Sequence, residues 1–199
     1  MTNTPLLDAL RSDAFDRVCE AVRARQTVAL TGLTEGLAVF FASALCRRLG
    51  LRVMVVTGND LRATRAADDA MQLMGEGAAP LTGGELDLTR GVSSHEQTWR
   101  RLETLARVRR GEIRLLSVSL DALIQRMGDP EVFSAASLRL RAGDRLAPDE
   151  LMTRLTRMGY ERVELVEGKG QCARRGSIVD VYPPAAPAGL RIEYFDDAA

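Results

Sequence analysis

"VALTGLTEGLAVFFASALCRRLG", Val28 to Gly50, decides how the first part of the chain is read. It opens on an apolar run, as a strand buried on both faces does. Gly32 and Gly36 then mark a tight turn, and from Thr34 to Leu49 the apolar residues follow a helical period until Gly50 stops it. Strand, glycine turn and helix in this order make the frame on which a helix N-terminus can hold a phosphate. The side chains decide whether the frame carries that chemistry. A G-x-x-x-x-G-K-[ST] loop needs its second glycine for a backbone nest, its lysine for the outer phosphates and its hydroxyl for magnesium. Counted from Gly32, those positions are Leu37, Ala38 and Val39. Lys169, the only lysine in the chain, cannot substitute: in "VELVEGKGQC" no glycine lies five residues before Gly168 and no hydroxyl follows. The expectation is a turn at Gly32–Gly36 that keeps its shape and has lost its ligand groups, with no cofactor and no ATP hydrolysis.

Outward from this stretch, "AFDRVCEAVRAR" precedes it with Phe15, Val18, Cys19 and Val22 at helical spacing. After it, "LRVMVVTG" reads as a second buried strand and "NDLRATRAADDAMQLMG" as a helix ending at Gly75. Successive strand-then-helix units predict parallel strands joined by crossovers. A loop-rich passage with a short strand near Ala79–Thr82 follows. A helix is then predicted in "SSHEQTWRRLETLARVRRG", where Ser93/Glu96 and Ser94/Gln97 fit capping boxes and Trp99, Leu102, Leu105 and Ala106 form the apolar stripe. "IRLLSVS" is a third buried strand and "LDALIQRM" a short helix. Residues 1–133 therefore read as a three-layer α/β domain with a parallel sheet. After Phe133 the texture changes. "SLRLRAG" alternates as a half-exposed strand does, and "PDELMTRLTRMGY" is a helix with Pro148 in its first turn and Gly159 at its end. "ERVELVE", "QCARRGSIVDVY" and "LRIEYF" alternate as well, so residues 134–199 read as a small α+β domain with an antiparallel sheet.

Composition narrows the function. At 199 residues, with 46% hydrophobic content, the chain can bury a core, and at 5% aromatics that core is aliphatic. Basic and acidic residues balance at 27 each, and they balance on either side of Phe133, which disfavours a large nucleic-acid footprint. Cys19, Cys46 and Cys172 form no paired motif, and His95 is the only histidine, so a disulfide framework and a metal cluster are both disfavoured. No apolar run approaches the ~20 residues that span a bilayer, and the N-terminus lacks a signal-peptide pattern, which predicts a cytoplasmic location.

The most specific stretch is "GYERVELVEGKGQCARRGSIVDVYPPAAPAGLRIEYFDD". Gly159-Tyr160, the turn Gly168–Gly170, Arg175-Gly176, the run Ile178–Pro183 and the run Arg191–Phe195 with Asp196 and Asp197 occur there in order. This block resembles the segment shared by the excision-repair protein UvrB and the N-terminal module of the bacterial transcription-repair coupling factor (Mfd). The first part is similar too, through a helicase-type α/β domain, a Ser-x-Glu helix start at Ser94–Glu96 and a "DALIQRM" helix. UvrB has an intact phosphate loop and a tyrosine-rich hairpin that wedges DNA. Here the only tyrosines are Tyr160, Tyr182 and Tyr194, so the chain resembles the coupling-factor module, with its nucleotide site decayed and the hairpin lost. It departs from the family in "LTGGELDLTRG" and in Cys172, where an aromatic is common.

The resemblance implies that the small sheet domain binds UvrA and that Arg175, Arg191 and Phe195 form the binding surface. It also implies that RNA polymerase and DNA are engaged only by further domains of a longer, ATP-dependent translocase, to which this chain would contribute the start. A UvrB-type DNA-binding subunit is the alternative. Read without the family, Arg175 and Arg191 are solvated strand-face charges with local partners, Phe195 is core, and Asp180 satisfies backbone or arginine donors. His95 is expected to be exposed and Trp99 to pack in a core. Arg100, Arg101, Arg107, Arg109 and Arg110 are expected to form a solvated helix face.

Overall fold

The computed structural model describes residues 4–8, 10, 12–83, 95–126 and 138–195. It divides into two units, one of residues 1–93 and 104–125, the other of residues 94–103 and 126–199. The boundary expected at Phe133 lies outside the described residues, as do the two expected capping boxes.

In the first unit, α1 (Thr4–Asp8), α2 (Asp13–Arg23) and α3 (Glu35–Leu49) precede β1 (Val53–Thr57) and α4 (Asp60–Met74). There follow β2 (Ala78–Leu81), α5 (His95–Arg109, whose residues from Thr104 onward belong here), β3 (Leu115–Ser119) and α6 (Leu120–Ile124). Polar side chains start the helices. Ser12 accepts from the Phe15 amide, Asn59 from the Arg62 amide and Ser119 from the Ala122 amide, each relieving one donor that the helix itself leaves free. Gly50 ends α3 at φ 64°, a left-handed conformation that a β-carbon would strain.

The sheet is parallel throughout, in the order β1-β3-β2. On one face, Ala66 and Ala70 of α4 and Val39 of α3 pack with Ala78, Leu115 and Val55. The alanine stripe Ala63, Ala66, Ala67 and Ala70 is buried and brings α4 close to the strands. The other face carries Leu81 and Val118 under Leu105 of α5 and Ala122 of α6. Helices therefore cover both faces, as the sequence predicts. Burying a side chain such as Leu115, 0% exposed, stabilises the fold by about 1.5–3 kcal/mol.

One expected strand is absent. Residues 27–31 join no ladder, with Val28 39% and Leu30 45% exposed. A strand needs a neighbour for its backbone donors and acceptors, and the segment joins neither β1 nor β2, the outer strands of the sheet. Apolar composition alone supplies no ladder partner.

The second unit is built on α7 (Pro148–Arg157) and a four-stranded sheet: β4 (Glu161–Arg162), β5 (Gln171–Arg175), β6 (Ile178–Val181) and β7 (Leu190–Glu193), in that order. The sheet is mixed, not antiparallel as expected. β5, β6 and β7 pair antiparallel, but β4 runs parallel to β5, with the Glu161 amide donating to the Gly170 carbonyl and the Val163 amide to the Cys172 carbonyl. The expected strand at Leu138–Arg141 is also absent. Leu138 and Leu140 pack on the core without joining a ladder. That core joins Leu151, Met152 and Leu155 of α7 to Cys172, Val179, Val181 and Tyr194.

Candidate protein-interaction face

The first unit's glycine turn holds the positions compared above with a phosphate loop. Gly32 has φ 79°, so it serves the turn, and a β-carbon at Gly36 would meet nothing within 4 Å. Val39, at the hydroxyl position of a phosphate loop, is 4% exposed and packs in the core against the sheet, while Leu37 is exposed. The Leu37 amide donates to Thr34 Oγ1 at 3.4 Å. A cavity of about 330 Å³ lies alongside, lined by Glu35, Ala38, Val39, Val55–Gly58, Arg62 and neighbours. Glu35, in the first turn of α3, pairs with Arg62 at 3.2 Å. A carboxylate there occupies the positive end of the helix, where a bound anion would otherwise be favoured.

The second unit's sheet has two unlike faces, and the register sorts its residues between them. Cys172, Val179, Val181 and Ile192 share the face that packs on α7. Across the other face run two rows. Ala173, Asp180 and Arg191 are opposite one another in one, and Arg175, Ile178 and Glu193 in the next. Arg175-Gly176 leads into the hairpin, and Gly176 at φ 62° opens the two-residue turn with Ser177, as such turns require. Tyr194 returns to the core face, 6% exposed, so the next residue, Phe195, falls on the outer face with Arg175 and Arg191. Phe195 is 75% exposed, which corrects the family-free expectation of a core residue: alternation from Tyr194 sends it outward.

The three residues singled out by the resemblance therefore share one face. Arg175 and Arg191 stand on strands two spacings apart, about 10 Å. Both have local partners as well. Arg191 grips Asp180 bidentately, Nε donating to Oδ1 at 2.8 Å and Nη2 to Oδ2 at 3.0 Å, and Arg175 Nη2 donates to the Glu164 carbonyl at 2.9 Å. The Arg191 guanidinium, with Arg175 adding to it, holds the Asp180 carboxyl below the usual carboxylate range. The Arg191 side chain remains 61% exposed while that of Asp180 is 18% exposed.

Sequence reading missed a support beneath this face. Gly170, at φ 80°, lies flat against the Trp99 ring, where a β-carbon would come within 2.7 Å of Cε2 and 2.8 Å of Cη2. Its amide donates to the Tyr182 carbonyl at 2.7 Å, Gln171 Oε1 accepts from the amides of Glu167 and Gly168, and Lys169 Nζ bonds Glu103 at 2.9 Å. The only signal for this in the sequence was one tryptophan and one glycine far apart along the chain. Trp99 is half-buried. The His95 side chain lies outside the described residues. Of the arginine-rich helix face, Arg107 and Arg110 both pair with Glu112. Cys19, Cys46 and Cys172 are free and buried, and burial pushes the Cys46 and Cys172 thiols up. No helix among the described residues is long and apolar enough to cross a membrane.

Comparison with known proteins bears on the same region. Residues 138–199 match the family described as the UvrB interaction domain. The chain is 28% identical over 169 residues to the transcription-repair-coupling factor of Bacillus subtilis (strain 168), a match covering 84% of this chain and 14% of that protein. Against the coupling factor of Escherichia coli (strain K12) it is 26% identical over 177 residues, 88% of this chain and 15% of the relative. It is 39% identical over 99 residues to UvrABC system protein B of Thermotoga petrophila, 49% of this chain and 14% of that protein. The chain thus spans about one-seventh of the length of these relatives.

Proposed function

We propose, from a chain that is UvrB-like in the manner of the coupling factors' N-terminal module, that this protein works in nucleotide excision repair as a non-catalytic adaptor that recruits UvrA. The observation that carries the reading is the clustering of Arg175, Arg191 and Phe195 on one exposed face inside the stretch matching the UvrB interaction domain. Guanidinium groups suit an acidic partner surface because they bond carboxylates two at a time, and an exposed phenylalanine supplies an apolar anchor. In a longer parent, the same recruitment would bring UvrA to RNA polymerase stalled on damaged DNA. The chain itself would turn over no ATP, a reading supported by a core valine at the hydroxyl position and by Glu35 at the helix N-terminus.

The test is capture of UvrA by the wild-type chain and by variants. Arg175→Ala plus Arg191→Ala, and separately Phe195→Ala, should each weaken capture by about 2 kcal/mol or more; the arginine variant also gives up the stability of the Asp180 pair, whereas Phe195→Ala should change thermal unfolding little. Undiminished capture by both variants would remove the site assignment. The 39% identity to UvrB over half the chain keeps a UvrB-type DNA-binding subunit as the second reading. A salt-dependent duplex titration separates the two, since a DNA-binding subunit would retain duplex affinity that falls with salt.

A further inference from the structure

We infer that Asp180 is a positioning residue for UvrA capture, holding Arg191 so that its free edge can clamp a carboxylate of the partner. This rests on the adaptor reading above. A guanidinium carries five N–H donors in a fixed plane. The hydrogen bonds from Nε and Nη2 to the two Asp180 oxygens use two of them and leave three, two on Nη1 and one on Nη2. Of these, one on Nη1 and one on Nη2 point along the edge formed by the two terminal nitrogens, which is itself a two-pronged donor, while the second Nη1 hydrogen points back along the Cδ side. One arginine can therefore bridge two carboxylates, one of its own chain and one of a partner.

The surroundings favour that division of labour. Asp180 lies on β6, between β5 and β7, opposite Ala173 on one side and Arg191 on the other. Ala173 offers the carboxylate no polar side chain, and the arginine on the other side bonds both of its oxygens. The pair's exposure is lopsided, 61% for the Arg191 side chain and 18% for that of Asp180, so the acid is the inner member and the guanidinium the outer one. An arginine on an exposed edge strand would otherwise sample many rotamers, and binding would have to immobilise it. Held by Asp180, it meets the partner already oriented, its remaining donors fixed in one plane.

The experiment is a double-mutant cycle on the full chain with UvrA as ligand, using Asp180→Asn, Arg191→Ala and both together. Asn keeps the shape, but its amide turns an N–H₂ toward the guanidinium and loses one of the two bonds. Asp180→Asn should weaken UvrA binding roughly tenfold, and in the Arg191→Ala background it should change nothing. Arginine Nε–H spectra give a readout independent of capture: the Arg191 signal should be protected from exchange in the wild type and lose that protection in Asp180→Asn. Wild-type affinity in Asp180→Asn, equal weakening with and without Arg191, or an unprotected Arg191 Nε–H in the wild type would each overturn the inference. If Arg191→Ala binds UvrA normally, the adaptor site itself fails; if Arg191→Ala weakens binding and Asp180→Asn does not, only the positioning role fails.

Discussion

The Asp180–Arg191 pair has a consequence for stability that is separate from binding. Its carboxyl is held below the ordinary value of 3.8, first by the hydrogen bonds from Arg191 and then by the charges of Arg191 and Arg175. A lowered folded-state value favours the folded chain wherever the acid is ionised, so the contribution is complete above the unfolded-state value and disappears as pH falls through the folded one. Wild type should therefore unfold at higher denaturant than Asp180→Asn at neutral pH, and the difference should close as the pH drops from about 4 downward. Parallel denaturant titrations at neutral and strongly acid pH check this; a gap that persists in acid would mean that packing, not charge, separates the two. At this scale the sequence was informative about Asp180, whose expected arginine donor is present. It was less informative about Phe195, because alternation fixes a face only after the strand's register is known.

At the level of elements, helices were more legible than strands. Caps and periodicity located α3, α4 and α7 to within a residue or two, since a helix satisfies its backbone within its own segment. Strands depend on a neighbour, which explains both the exposed segment at residues 27–31 and the parallel pairing of Glu161–Arg162 where an antiparallel sheet was expected. Two substitutions probe elements directly. Gly170→Ala should destabilise the second unit by more than about 2 kcal/mol, because the methyl overlaps the Trp99 ring and the left-handed backbone is strained at the same time. Thermal unfolding of the full chain reads that loss, and an unchanged midpoint would mean that the ring moves aside without penalty. In α3, Ala38→Lys with Val39→Thr would place a lysine and a hydroxyl at two of the three positions compared with a phosphate loop. It should lower stability by about 1–3 kcal/mol through the hydroxyl placed in the core, and ATP turnover should remain absent. Turnover in that variant would show that the frame needs only its side chains back.

For the whole molecule, the change in periodicity after Phe133 predicts two domains, and the structure groups residues 126–199 with residues 94–103. The membership of α5 was not legible in the sequence. Its residues up to Glu103 group with the sheet unit, where Trp99 and Glu103 meet Gly170 and Lys169, a long-range association that no local pattern announces. A fragment meant to reproduce the sheet unit alone would therefore lack the ring beneath Gly170 if it began after Phe133.

The outer face of the small sheet also has a kinetic meaning. Arg175 and Arg191 share it with Asp180 and Glu193, and the chain as a whole carries no net charge. Opposite charges so close together cancel within a few ångströms, so the face casts no extended field to draw a partner in from solution. Encounter with an acidic partner would proceed at the unassisted diffusional pace, and selectivity would reside in residence time: a correct partner is told from a wrong one by how slowly it leaves.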